Sequence, residues 1–132
     1  MPDWHNFGGN GFTVEDLGRP VNFLLPEKKL QMMINGETVE AILHNFLIGG
    51  FGAYTSAKVP SFGFWKDKNK AVIVDECREY EVSFCRDREK VRIPILMAKL
   101  AEIALSIGER CIYFKSGQYS CLIRPTDCKK EV

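Results

Sequence analysis

Only two histidines occur in the chain, no two cysteines have the C-x-x-C spacing, and no apolar run approaches the length of a membrane span. The first two scarcities remove zinc sites of recognisable spacing and any Ser/His/Asp or Cys/His constellation with a spacing argument behind it. The third removes a transmembrane helix, which needs about twenty consecutive apolar residues. Charge of one sign is missing too. Eighteen Lys and Arg stand against seventeen Asp and Glu, a formal net charge of +1, so no global field draws the chain toward nucleic acid or anionic lipid. The start, Met1-Pro2-Asp3-Trp4-His5, carries neither the basic nor the apolar region of a signal peptide. The expectation is a cytoplasmic protein with no metal, no cofactor, and neither nucleic acid nor membrane as a partner.

What is present fits one domain, because 132 residues can bury a single core of useful extent. Residues 1–20 are rich in Gly and Asn with isolated aromatics (Trp4, Phe7, Phe12) and read as an arm. The Gly8-Gly9-Asn10-Gly11 cluster is not a phosphate loop, since no strand precedes it and no Gly-Lys-Ser/Thr follows. An α+β domain is expected over 21–125, and a charged tail over 126–132. The five cysteines, Cys77, Cys85, Cys111, Cys121 and Cys128, are an odd number in a cytoplasmic setting and read as small buried hydrophobes.

Hydrophobic spacing orders the domain. Val21-Asn22-Phe23-Leu24-Leu25 reads as a strand stopped by Pro26, and residues 30–34 as its extension or a short separate piece. After Asn35-Gly36, the apolar residues Val39, Ile42, Leu43, Phe46 and Leu47 recur at three and four, which defines a helix face rather than a hairpin arm. Asn35 or Thr38 would cap that helix, and Gly49, Gly50 and Gly52 would end it. A second strand over 53–58 breaks near Pro60 and resumes at Phe62-Gly63-Phe64-Trp65; a turn at Asp67 to Lys70 returns it as a long strand over 71–85. A bulge is expected opposite Pro60, because proline gives no amide hydrogen to a ladder. Pro94 suits a first helical turn, with Leu96, Leu100, Ile103, Ala104 and Ile107 on one face and Gly108 at the end. Cys111-Ile112-Tyr113-Phe114 and 118–123 complete the pattern as a strand pair.

This order resembles the ferredoxin-like βαββαβ plan, and the pattern Gly63-Phe64-Trp65-Lys66-Asp67 followed by an apolar strand is similar to that of small proteins of the dimeric α+β barrel type. The resemblance implies an antiparallel sheet of four to five strands with two helices on one face. It implies no particular activity.

With helices on one face only, strands should alternate apolar with polar. Phe23-Leu24-Leu25, Val72-Ile73-Val74, Ile112-Tyr113-Phe114 and Cys121-Leu122-Ile123 are apolar on both parities. Something apolar must cover the second face, and a second copy of the same sheet is the common solution, so a homodimer is expected; the competing cover is the arm of 1–20. A cleft on that face would take a small, partly apolar ligand.

Parity supplies the candidate ligand-binding residues. Tyr80, Val82 and Phe84 would meet the helices, leaving Glu79 and Glu81 on the other side. A simple turn then sets Lys58 opposite Glu79, Ser56 opposite Glu81 and Tyr54 opposite Ser83, with Trp65 as a cavity wall. One of the glutamates, desolvated, would act as a general acid or base; the alternative is a cross-strand salt bridge at an edge or dimer rim. His44 is expected in solvent, and Asp75, Glu76 and Arg78 in a water-exposed bulge. Three functions follow: a dimeric small-molecule-binding or accessory protein, a small α+β barrel enzyme using a glutamate, or a protein-interaction or inhibitor module.

Overall fold

The computed structural model describes residues 7–66, 69–84 and 88–126, with the backbone alone for 58–63, 65 and 89. Strand β1 (Val21–Pro26) alternates strictly: Val21, Phe23 and Leu25 are buried and their neighbours half-buried. A 3-10 turn, Glu27–Gln31, follows Pro26 and buries Leu30. Asn35 (φ 51°) and Gly36 (φ 88°) then close a two-residue hairpin between β2 (Met33–Ile34) and β3 (Glu37–Thr38). Both central residues have positive φ, the geometry that Asn-Gly provides most readily. Asn35 is therefore a turn residue and not a helix cap. The cap is Thr38, whose Oγ1 accepts from the Ala41 N–H at 3.1 Å.

Helix α1 (Val39–Phe51) turns Val39, Leu43 and Leu47 inward and runs through Gly49 and Gly50 to stop at Gly52, whose φ of 84° ends it. Strands β4 (Thr55–Lys66) and β5 (Val72–Val82) form a long hairpin, with the register shifting between Ala57 and Ser61, where the sequence places Pro60. The Asp67 to Lys70 turn lies partly outside the described residues, as do Cys85, Cys128 and the end of the tail.

Helix α2 (Glu89–Ile107) starts five residues before Pro94, which is thus inside the helix rather than in its first turn. Pro94 is exposed, so the Lys90 carbonyl that loses its helical partner can be met by water. At the other end Gly108 (φ 74°) and the Glu109 N–H, donating to the Ala104 carbonyl at 2.8 Å, make a Schellman stop. The Arg92 guanidinium donates to the Gly50 carbonyl and lies 5.4 Å from the Phe51 ring centroid, joining α2 to the end of α1.

Strands β6 (Ile112–Ser116) and β7 (Tyr119–Ile123) complete a five-stranded antiparallel sheet of order β4-β5-β1-β6-β7. This is the ferredoxin-like arrangement with one added strand. Sheet residues of one parity (Val21, Phe23, Leu25, Tyr80, Val82, Ile112, Phe114) share a core with Leu43 and Leu47 of α1 and Leu96, Leu100 and Ile103 of α2. Both helices therefore lie on one face, and none of the helices described is long and apolar enough to cross a membrane.

The other face is open. Tyr113 is 42% and Leu122 49% exposed there. Residues 7–20 contain one isolated bridge, Gly9 to Phe12, and expose Phe7, Phe12 and Leu17. Of the described cysteines, which carry no disulfide, Cys77 is buried, Cys111 half-buried and Cys121 exposed, the last because β7 is an outer strand.

Candidate functional site

Glu79 and Glu81 lie on the open face, as alternation with buried Tyr80 and Val82 requires. Their partners on β4 differ from the expected ones by one residue: Ala57 is opposite Glu79 and Thr55 opposite Glu81, with Ser56 beside Tyr80. Two offsets combine: Lys66 pairs with Val72 and not with Ala71, one residue off a symmetric turn, and the bulge then takes up two extra residues of β4 between Ala57 and Ser61. Lys58 falls in that irregular stretch and Trp65 pairs with Ile73, their side chains lying outside those described.

The one-residue offset at the turn puts Tyr54 on the helix side, since a bulge of two residues leaves the face unchanged. Its ring centroid is 5.9 Å from that of Tyr80, and its Oη is 2.7 Å from Nδ1 of His44, one turn after Glu40 on α1. His44 is exposed but partnered, and the expected grouping of Tyr54 with the two glutamates does not form. The glutamates are instead joined by Asn22 of β1, whose Nδ2 donates to Glu79 Oε1 at 3.1 Å and Glu81 Oε1 at 3.5 Å. Lys115 is the neighbour of Asn22 on β6.

Arg78 is the largest departure from expectation. No bulge exposes it; its side chain is 13% exposed on the helix side and donates to Glu27 through two nitrogens, one at 3.0 Å, and to Glu40. Hydrogen bonding to Glu27 holds the guanidinium above its ordinary range, with burial opposing and Glu40 adding. Burial pushes the neighbouring Tyr80 hydroxyl up to about 12, an effect that Arg78 partly offsets. Arg78 shares the parity of Tyr80 and Val82, and that signal was available in the sequence. Its acidic partners were not, because they lie 51 and 38 positions away.

The cleft on the open face is a groove of about 510 Å³ at the opposite end from Asn22. Leu24, Tyr113 and Leu122 form its apolar floor, with Phe64, Cys77 and Cys111 beside them. Lys66, Asp75, Glu109, Arg110 and Arg124 surround it. Tyr54, Glu79 and Glu81 do not line it, although Glu79 pairs directly with Leu24 across the β1–β5 ladder. A second hollow of about 460 Å³ continues from it, sharing Pro26, Asp75, Glu109 and Arg110 and adding Lys28, Lys29 and Glu76. Among the described residues no three His, Cys, Asp or Glu side chains are placed to hold a metal ion.

No family model matches the sequence, and no curated protein matches it. The fold is similar to that of a phage SAM lyase solved in complex with S-methyl-5'-thioadenosine. The TM-score is 0.57 with 8% sequence identity, covering 88% of this chain and 96% of that one. At this identity the likeness is one of fold, and chemistry has to be argued from the side chains of this chain.

Proposed function

We propose that the protein binds a small, partly apolar molecule in the groove on the open face of its sheet, and that a second copy of the chain packs across that face to close it. The observation that carries this reading is the coincidence of the groove with the exposed apolar side chains Tyr113 and Leu122. A floor of this kind with a few charged groups converging on it, and a volume near 510 Å³, has the composition and size of small-molecule sites. That a similar fold holds a nucleoside thioether in the phage lyase makes S-methyl-5'-thioadenosine and S-adenosylmethionine the first ligands to try.

Native mass spectrometry of the purified protein, alone and with each compound, tests the reading. A dimer that retains one of them, and a Leu122→Ser variant that loses both dimer and ligand, is the expected result. A bare monomer at tens of micromolar that takes up no compound overturns it.

An enzymatic version is favoured by Glu79, which is half-buried, hydrogen-bonded to Asn22, and one cross-strand step from the groove at Leu24. In this version Glu79 serves as the acid or base, and Glu81 shares its amide partner. Incubation with S-adenosylmethionine followed by chromatography for S-methyl-5'-thioadenosine tests it. Turnover by the parent protein and its loss in Glu79→Gln are expected, and no turnover by the parent overturns this version.

A further inference from the structure

The groove and its continuation form one bent channel, apolar at one end and charged at the other, and they meet at Arg110. The charge around this channel is unbalanced. Five basic side chains line it against three acidic ones, in a chain whose formal net charge is only +1. One pair among them is internal, since Glu109 Oε1 is 2.7 Å from Lys29 Nζ, and it leaves four basic side chains against two acidic ones. Arg110 and Arg124 have no ion-pair or hydrogen-bond partner among the described residues and both line the apolar part of the channel.

Guanidinium groups are suited to oxyanions that present two oxygens side by side. Each presents a rigid fork of N–H donors that matches the oxygens of a carboxylate, sulfonate or phosphate, and it keeps its charge at every physiological pH. An exposed arginine has little reason to leave water for an uncharged ligand, but beside an apolar floor it can hold an anion whose body lies on that floor. Arg124 follows β7 and Arg110 precedes β6, so both approach from the strand ends that flank Tyr113 and Leu122.

We infer that the ligand of this site is an amphipathic small anion: an aromatic or aliphatic body lying on Tyr113 and Leu122, with an acidic group held by Arg110 and Arg124. The inference rests on the groove being the binding site proposed above and adds the class of molecule it selects. An uncharged nucleoside thioether would then bind more weakly than an acid of the same bulk.

A matched pair of fluorescent probes separates the two claims. 1-Anilinonaphthalene-8-sulfonate and its uncharged parent, N-phenyl-1-naphthylamine, share the same aromatic body and differ by one sulfonate. Titration of the full chain with each is expected to favour the sulfonate by about tenfold, the scale of a charge-assisted hydrogen bond. In the exposed-site variant Arg110→Gln/Arg124→Gln that preference disappears while the affinity for the uncharged parent is unchanged, and in Leu122→Ser both probes weaken. Equal binding of the two probes, unaffected by the arginine changes but weakened by Leu122→Ser, overturns the anionic class and leaves the groove standing as a site. Failure of both probes to bind, or binding indifferent to Leu122→Ser, overturns the groove as a site and the anionic class with it. Far-ultraviolet circular dichroism of each variant confirms that the fold is retained.

Discussion

The two sides of β5 treat charge in opposite ways. On the helix side Arg78 is almost enclosed, with Glu27 and Glu40 on its guanidinium and the ring of Tyr80, stacked on Phe23 at 5.1 Å, beside it. On the open side Glu79 and Glu81, its alternating neighbours, share one amide and stay in reach of solvent. A cation withdrawn from water costs several kcal/mol unless its donors are matched, so Arg78 is held in one place by the carboxylates that compensate it. Carboxylates at a solvated face carry no such obligation and remain available. A charge that the fold has fully committed is structural, and the groups to search for function are the ones it has left partly unspent.

This contrast gives measurable differences between adjacent residues. The largest is expected for Phe23→Ala, which removes a fully buried ring and should lower stability by about 3–5 kcal/mol in urea unfolding. Leu24→Ala, on the opposite face one residue away and half-buried, should cost roughly 1 kcal/mol; equal losses would mean that both faces are covered. Arg78→Met should cost about 2–3 kcal/mol, because two carboxylates lose their cation while remaining partly hydrated; a loss below half a kcal/mol would remove the distinction drawn between the two sides.

Tyr80 sharpens the comparison through pH. Its hydroxyl titrates near 10 when unfolded and at about 12 in the fold, so between those values the native state holds the proton that the unfolded state has lost. Stability from this group is complete below pH 10 and falls as pH rises toward 12. In Tyr80→Phe that alkaline decline should be shallower, as followed by urea midpoints from pH 9 to 12. The smallest effect is expected on the open side: Glu81→Gln keeps an acceptor for Asn22 and should change stability by less than about 0.5 kcal/mol.

Much of the fold was legible because it is written in local spacing. The strict alternation of Val21, Phe23 and Leu25, the three-and-four recurrence from Val39 to Leu47, and the stops at Gly52 and Gly108 each follow from the geometry of one element. The position of the bulge was legible too, since Pro60 has no donor. Its size was not, nor was the one-residue offset at the turn, which moved Tyr54 to the helix side and detached it from the glutamates. Asn35-Gly36 was read against a hairpin because the helix pattern begins so soon afterwards; two-residue strands left room for both. Pro94 was read as a start because proline is most at home there, whereas an exposed helix surface tolerates it further in. The groove lay beyond reach for a different reason. Arg110 and Arg124 flank separate strands, and only the β1–β6 and β6–β7 ladders bring them toward Leu24.

The irregular stretch of β4 between Ala57 and Ser61 has a consequence for the protein in a crowded solution. Strand β4 is the outermost of the sheet on its side and runs for 12 residues, long enough to act as a template onto which a foreign strand could zip and begin a fibril. The register shift and the missing amide hydrogen of Pro60 cut that template into two shorter pieces, so that no continuous row of donors and acceptors runs the length of the strand. Growth of the sheet sideways is thereby discouraged, and self-recognition is left to surfaces that a ladder of hydrogen bonds cannot extend.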